Sequence, residues 1–314
     1  MGYTHRDMIE VSYSSLGTYG NCARRFAYTK MLRRDRRLFD DSMAAAIGRC
    51  LHEAIQHYFI HRDRDKAIEQ IALHYPWEQF PETPEYNFEA AVNTFIATLS
   101  SSLYDYELVH IDLDDGSVHP AVEVPVMIKY FLEEHDVWFH YRGYVDLILR
   151  DPITGEFMIW DIKTMTKKTM SHAQEKYQYD YQNTGYGLVL NALYGTQAQF
   201  TTGIMGVVID LHNPEVITPV HRRREKDMQE FVRWFTWNAR QIAEQQTIGW
   251  FPRNPKACKA FNRLCSFHSH CHLKTLDEMQ EYANPSGVVK SESIESGTAR
   301  DKEFVPLLVV EITD

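Results

Sequence analysis

Two strand-like segments joined by a turn constrain this chain more than any other part of its sequence. The segments are residues 141–150 and 156–163, and the Asp-Pro-Ile-Thr-Gly between them has turn chemistry, so they are predicted to form a β-hairpin. Asp146 lies on the first strand, and Asp161 and Lys163 share one face of the second. Two carboxylates beside an ammonium group suit a divalent cation and a positioned water, although a surface hairpin with a salt bridge is the alternative.

The motifs on this hairpin resemble those of the PD-(D/E)XK nuclease superfamily. The first strand carries a G-x-x-D that ends at Asp146, and the second carries a D-x-K that ends at Lys163. A Q-x-x-x-Y follows, from Gln182 to Tyr186, and it resembles the RecB-like branch of the superfamily. The resemblance implies an α/β fold with a restriction-endonuclease-like core, in which helices flank a mixed central β-sheet. It also implies metal-dependent cleavage of DNA phosphodiesters.

The resemblance extends to a metal-ligand set outside the hairpin. A G-x-x-x-H motif ends at His52 in a helical segment, where the RecB-like nucleases carry a metal-binding histidine. It implies that His52, Asp146, Asp161 and the backbone carbonyl of Ile162 hold Mn²⁺ or Mg²⁺. Glu123, on the strand before the hairpin, matches a position where the family often has an acid; an outward-facing strand residue is the alternative.

The remaining motif residues receive roles from the same resemblance. Lys163 is expected to orient a metal-bound water and offset developing charge, while Gln182 and Tyr186 position the DNA backbone or Lys163 itself. The expected function is a single-strand DNA exonuclease in recombination, repair or phage DNA processing, acting on single-stranded DNA or free ends. The alternative is a non-catalytic or partner-dependent DNA-end-binding subunit of a helicase–nuclease complex, with residues 284–314 as a candidate segment for a protein partner.

Four cysteines form a second constellation at the two ends of the predicted core. Cys258, Cys265 and Cys271 follow a C-x6-C-x5-C spacing, and Cys22 lies far upstream. Four thiolates can hold an iron–sulfur cluster or a structural Zn²⁺ ion. The arrangement resembles the AddB-type and CRISPR-associated RecB-like nucleases and their phage-encoded relatives, which implies a [4Fe–4S] cluster joining the N- and C-terminal segments. Structural Zn²⁺ is the alternative, and Cys50 is predicted to be a buried core thiol.

Composition bounds the partners and the compartment. The net charge of −10 argues only weakly against a DNA partner, because a local basic groove suffices; arginines and lysines cluster at 24–37 and at 222–226. The N-terminus lacks the apolar segment of a signal peptide and no apolar run is long enough for a membrane span, so a cytoplasmic protein, bacterial or phage-encoded, is expected.

The hydrophobic pattern gives an outline of the elements and domains. Helices are predicted over 43–60, 65–74, 87–101, 171–193, 225–246 and 275–282, and strands over 106–112, 121–130, 203–211, 216–221 and 304–312. The expected division is an N-terminal helix with a cysteine and basic residues (1–40), the nuclease core (41–247), a cysteine-rich loop (248–275), and a linker with a C-terminal tail (276–314).

Overall fold

The predicted hairpin is present in the computed structural model of the protein. Strand β6 (Val137–Arg150) pairs antiparallel with β7 (Phe157–Met165). The turn between them is closed by the amide of Gly155, which donates to the carbonyl of Asp151 at 2.8 Å. Gly155 has φ +73°, a left-handed conformation that glycine adopts without a Cβ penalty. The turn residues therefore fix the register of both strands.

The structure describes most of the chain between residues 8 and 312. The described residues are 8–31, 43–77, 83, 86–113, 115–194, 199–260, 263–265, 267–268, 271–272, 275, 278 and 304–312. The helices are α1 (Tyr13–Asn21), α2 (Ala23–Phe26), α3 (Met43–His61), α4 (Arg64–His74), α5 (Phe88–Thr98), α6 (Lys167–Met170), α7 (Ala173–Gln178), α8 (Tyr181–Tyr194) and α9 (Glu225–Ile248). The other strands are β1 (Met8–Val11), β2 (Glu107–Leu108), β3 (His110–Asp112), β4 (Val118–Pro120), β5 (Val122–Leu132), β8 (Gln199–Val208), β9 (Glu215–Ile217), β10 (Val220–Arg224), β11 (Lys259–Ala260), β12 (Arg263–Leu264) and β13 (Leu308–Ile312).

The chain separates into two compact units, and strands β5 and β6 contribute residues to both. Unit 1 contains residues 1–40, 125–143 and 232–314, and unit 2 contains residues 41–124 and 144–231. The four-part division predicted from the sequence stays a prediction.

Unit 2 is built on a mixed sheet with the strand order β10-β8-β7-β6. Strands β7 and β8 are parallel, whereas β6–β7 and β8–β10 are antiparallel. Helices α3, α4 and α5 bury their apolar positions in one core cluster with Trp160 and Ile162 of β7. Because strand side chains alternate, Asp161 points to the opposite face, where Gln182 of α8 contacts it. Helices thus flank the sheet on both faces, as the restriction-endonuclease-like prediction requires.

Unit 1 contains β1, β13, parts of β5 and β6, and the residues of the long helix α9 from Val232 onward. Strand β1 pairs parallel with β6, and β13 pairs parallel with β5. Aromatic side chains fill its interior, with Phe235 of α9 packed 5.6 Å from Tyr141 and 6.1 Å from Tyr130 between ring centroids. The predicted strand at 304–312 is thus confirmed in its last five residues, as β13. This pairing favours a strand that completes the sheet at the described end of the tail.

Three predicted elements are wrong in their continuity. The helix predicted over 171–193 is two helices, because the Asp180 carboxylate accepts from the amide of Asn183 and starts a new helix at α8. The strand predicted over 216–221 divides into β9 and β10 on either side of Pro219, which has no amide to donate. The strand predicted over 106–112 divides into β2 and β3, since each part pairs with a different strand.

Some predictions fall outside the described residues. The basic residues beyond Met31, up to residue 37, lie there, as do the linker within 276–303 and most of the helix predicted over 275–282. Within the described part of the chain, no helix is long and apolar enough to cross a membrane.

Candidate functional site

Helix α3 brings His52 toward the sheet because a glycine lies one turn before it. A Cβ on Gly48 would come within 2.9 Å of Thr164 Oγ1 on β7, so any other residue would require Thr164 or the helix to shift. His52 and Gln56 lie four residues apart and therefore share one face of the helix. The G-x-x-x-H motif thus has a packing explanation in addition to a chemical one.

His52, Glu123 and Asp146 form a potential ligand group for a metal ion. One ligand atom of each lies within 4.8 Å of those of the other two, and His52 Nδ1 is 3.6 Å from Asp146 Oδ2. Two carboxylates and an imidazole suit Mn²⁺ or Mg²⁺. The structure therefore brings Glu123 into the group, together with two of the ligands that the resemblance implied.

Glu123 occupies its place through an unusual backbone conformation. Its φ is +48°, a left-handed value that costs a non-glycine residue roughly 1–2 kcal/mol. Its Oε1 accepts a 2.7 Å hydrogen bond from Nε2 of Gln56, which is buried on α3. A strained backbone held by a partly buried hydrogen bond at a charged cluster is typical of functional sites.

Asp146 lies where the paired part of the hairpin ends. The antiparallel register begins at Leu147 opposite Trp160, so Asp146 is the first residue beyond it on β6. There its Oδ2 accepts a 2.7 Å hydrogen bond from the backbone amide of Ile162. Only 5% of Asp146 is exposed. The separation of the two strands at this point thus holds the carboxylate between them, beside Ile162, whose carbonyl is a ligand that the resemblance implies.

The other motif residues form a connected polar cluster on β7 and α8. Lys163 Nζ lies 2.9 Å from Oδ1 and 2.7 Å from Oδ2 of Asp161. Gln182 Nε2 donates to Asp161 Oδ1 at 3.1 Å and to Tyr186 Oη at 3.4 Å, and Lys163 donates to Gln182 Oε1 at 3.5 Å. The Q-x-x-x-Y motif therefore meets the D-x-K motif directly, through residues one helical turn apart.

Burial and charge set the protonation of this cluster. Burial raises the pKa of Asp161 to about 7, and Lys163 offsets part of that effect while Asp146 adds to it. Burial alone would lower the pKa of Lys163, but the Asp161 and Asp146 carboxylates outweigh it and hold the pKa above its usual value. Lys163 is therefore a cation at neutral pH, suited to orienting a group and balancing negative charge. Burial likewise raises the pKa of Tyr186, which stays a neutral hydroxyl.

Unit 1 gathers the four predicted cysteines around one cavity. Cys22, Cys258, Cys265 and Cys271 all line it, and none forms a disulfide. The segment after Phe251 is tied to the N-terminal helices: Asn254 Nδ2 donates to the carbonyl of Asn21 at 2.8 Å and its amide contacts Cys22 Sγ at 3.5 Å. Cys50 is buried in unit 2, in agreement with its prediction as a core thiol.

Two residues of these sites were not assigned a site role from the sequence. Gln56 donates a hydrogen bond to Glu123. The sequence feature that could have identified it is its four-residue spacing from His52, which places both residues on one helix face. Arg24, the first residue of the basic cluster at 24–37, is buried beside the cysteine cavity. No local pattern distinguishes buried Arg24 from half-buried Arg25 beside it.

The mixed sheet flanked by helices is consistent with a restriction-endonuclease-like core, and the ligand group and the D-x-K lysine lie on it. A family model described as the PD-(D/E)XK nuclease superfamily matches residues 10–272, and the chain belongs to this superfamily. Membership makes the protein a nuclease, of a class that acts on DNA and uses divalent metal ions.

Solved structures provide a further comparison. The chain is similar to the crystal structure named "Putative exonuclease" from Eubacterium rectale, with 14% identity, a TM-score of 0.49, and coverage of 86% of this chain and 98% of that one. It is also similar to the crystal structure of SSO0001, with 13% identity, a TM-score of 0.30, and coverage of 79% and 78%. No curated protein matches the chain.

Proposed function

We propose that the protein is a metal-dependent DNA exonuclease of the RecB-like branch, acting on single strands or free ends in recombination, repair or phage DNA processing. The observation that carries the proposal is the convergence of His52, Glu123 and Asp146 within 4.8 Å. The Asp161–Lys163 pair follows on the adjacent strand. Exonucleolytic action and the single-strand preference rest on the resemblance to the branch.

The donor set fits Mn²⁺ or Mg²⁺. His52, Glu123 and Asp146 would hold the ion, with Asp161 and the carbonyl of Ile162 as further ligands. A bound divalent ion polarises a phosphate and lowers the pKa of a coordinated water.

Side chains and backbone groups of the protein position the metal ligands and balance negative charge. Gln56 holds the Glu123 carboxylate, and the amide of Ile162 holds Asp146, so two ligands are fixed before any ion binds. Lys163, kept protonated by Asp161, donates toward the reacting phosphate or water and balances negative charge. Gln182 bridges Asp161 and Tyr186 and keeps the lysine pair aligned with α8.

The cysteine cavity is proposed to hold a [4Fe–4S] cluster. Four cysteines that line one cavity are the ligand set of such a cluster, and they come from both ends of the chain. When bound, the group would staple helices α1 and α2 to the segment after α9. The alternative occupant of this cavity is a structural Zn²⁺ ion.

The test uses protein purified without oxygen. Its iron and sulfide content is measured first, and single- and double-stranded DNA labelled at either end is then digested with Mn²⁺ or Mg²⁺. Shortening of single-stranded DNA from an end, lost in Lys163→Ala and Asp146→Ala, is the expected result. DNA-end binding without cleavage would instead establish the alternative, a non-catalytic DNA-end-binding subunit. Internal cleavage of circular single-stranded DNA would contradict the exonuclease proposal.

A further inference from the structure

Arg24 is a buried cation whose side-chain partners, among the described residues, are backbone carbonyls. Only 4% of the residue is exposed. Its Nε donates to the carbonyl of Phe251 at 3.0 Å and its Nη1 to the carbonyl of Cys271 at 2.9 Å. Among the residues that the structure describes, no acidic side chain forms an ion pair with the guanidinium. Burying a charge is costly unless an opposite charge compensates it, and carbonyl dipoles compensate only in part.

The missing negative charge is available in the cavity that Arg24 lines. The same cavity is lined by all four cysteines, which are neutral as thiols and negative as metal-bound thiolates. Four thiolates around a [4Fe–4S] core or around Zn²⁺ leave the whole group net negative, since their charges exceed that of the metal. A ligated group therefore supplies the negative charge that Arg24 does not receive from the acidic side chains in the described part of the chain.

We propose that Arg24 is the counter-cation of the metal–thiolate group and a positioning residue for its last ligand. The proposal rests on the occupancy of the cysteine site proposed above. The guanidinium neutralises part of the charge on the group, and its hydrogen bond to the carbonyl of Cys271 fixes the segment that carries this thiolate. The backbone amide of Arg24 donates to the carbonyl of Pro252 at 3.0 Å, so one residue ties α2 to both ends of the cysteine-rich segment.

The reduction potential of the cluster separates a charge effect from a structural one. Adding one electron makes the group more negative, and a nearby cation stabilises the reduced form. Removing that cation should therefore lower the potential. A change of about tenfold in the reduction equilibrium corresponds to about 59 mV for one electron.

The variants keep the charge, remove it, or make it titratable. Arg24→Lys retains the cation, Arg24→Gln removes it but keeps a donor, and Arg24→His carries it only at low pH. Arg240→Gln is the control, because Arg240 is a surface arginine of the same unit that pairs with Glu134 at 3.1 Å. Potentials are measured by dithionite titration, followed by electron paramagnetic resonance of anaerobically purified protein.

In Arg24→Gln the reduction potential should be lower by about 59 mV, which is about a tenfold change in the reduction equilibrium. Arg24→Lys and Arg240→Gln should have potentials near the wild-type value. If Arg24→Gln does not fold, Arg24→His should show a potential that falls as pH rises from 6 to 8, beyond any slope of the wild type. A wild-type potential in Arg24→Gln, or a wild-type pH slope in Arg24→His, would overturn the proposal.

A zinc-containing wild type would refute the cluster and still test Arg24. The readout is then the rate of zinc transfer to a chromogenic chelator. Faster loss from Arg24→Gln than from Arg24→Lys supports the counter-cation, whereas equal rates overturn it. Wild-type protein that binds neither metal, with reduced thiols and an intact fold, refutes both proposals. The metal content thus reports on the cysteine site, and the variants report on Arg24.

Discussion

The backbone amide of Ile162 donates a 2.7 Å hydrogen bond to Asp146 Oδ2, the same oxygen that lies 3.6 Å from His52 Nδ1. One carboxylate oxygen therefore links both strands of the hairpin with helix α3. Losing a residue that only supports a metal ligand typically weakens metal binding roughly 10- to 100-fold. We predict that Asp146→Asn weakens Mn²⁺ binding by more than this, because it removes a charged ligand. Free Mn²⁺ measured by electron paramagnetic resonance gives the affinity. Asp112→Asn, an exposed acid on β3, should bind as the wild type does, and equal binding by both variants would contradict the assignment.

Gln56 should affect the metal site without touching the metal. Its Nε2 donates a 2.7 Å hydrogen bond to Glu123 Oε1 and so helps to hold this carboxylate in the ligand group. Gln56→Leu should weaken Mn²⁺ affinity roughly tenfold with little change in melting temperature. His61→Gln, at the exposed end of the same helix, is the matched control. If Gln56→Leu bound Mn²⁺ as tightly as this control, the hydrogen bond from Gln56 would not be needed to position Glu123.

Lys163 should contribute to cleavage as a fixed cation. Asp161 and Asp146 raise the pKa of Lys163, so the ammonium group does not lose its proton near neutrality. We predict that Lys163→Met lowers kcat on the order of 100-fold while Mn²⁺ binding is retained. Lys163→Arg should recover part of the rate, because it restores the charge at a different position. Two results together would indicate that Lys163 acts as a general base and not as a fixed cation. These are complete loss of cleavage in Lys163→Arg and full cleavage activity of Lys163→Met at pH 9.

The hairpin was predictable because its signals are local. The turn residues after Asp151 and the alternation around Asp161 are contained in one short segment. Glu123 could not be placed in the same way, because its left-handed backbone and its contact with Gln56 depend on packing between distant segments. The break at Asp180 was not predicted because the apolar pattern continues through this position. The Asp180 carboxylate nevertheless caps a new helix there.

A substitution at Gly187 tests how closely α8 must pack against the sheet. A Cβ at this position would overlap the ring of buried Phe200 on β8. Gly187→Ala should destabilise the protein by about 1–3 kcal/mol and reduce cleavage, because a shift of α8 moves Gln182 away from Asp161. Gly17→Ala is the matched control, since a Cβ on this α1 glycine meets no atom within 4 Å. Urea unfolding should show it unchanged or stabilised by up to about 1 kcal/mol.

His221 gives the fold a pH dependence of definite sign. Burial lowers the pKa of His221 on β10, and the neighbouring guanidinium of Arg223 lowers it further. Below the ordinary histidine pKa of about 6.5, the unfolded chain therefore binds a proton that the folded chain does not. The free energy of unfolding should fall as pH drops from 7 toward 5, by at most about 1.4 kcal/mol per pH unit from this group.

Urea unfolding of metal-free protein at pH 7.5 and pH 5.5 measures this effect. His221→Gln should reduce the loss of stability between the two values, because glutamine does not titrate. His74→Gln alters an exposed histidine of α4 and should keep the wild-type loss. The acidic groups, including Asp161, are the same in all three proteins, so the difference between the variants reports on the buried imidazole and the charges that face it. A loss in His221→Gln as large as in the wild type would mean that His221 is already accessible to protons in the folded state.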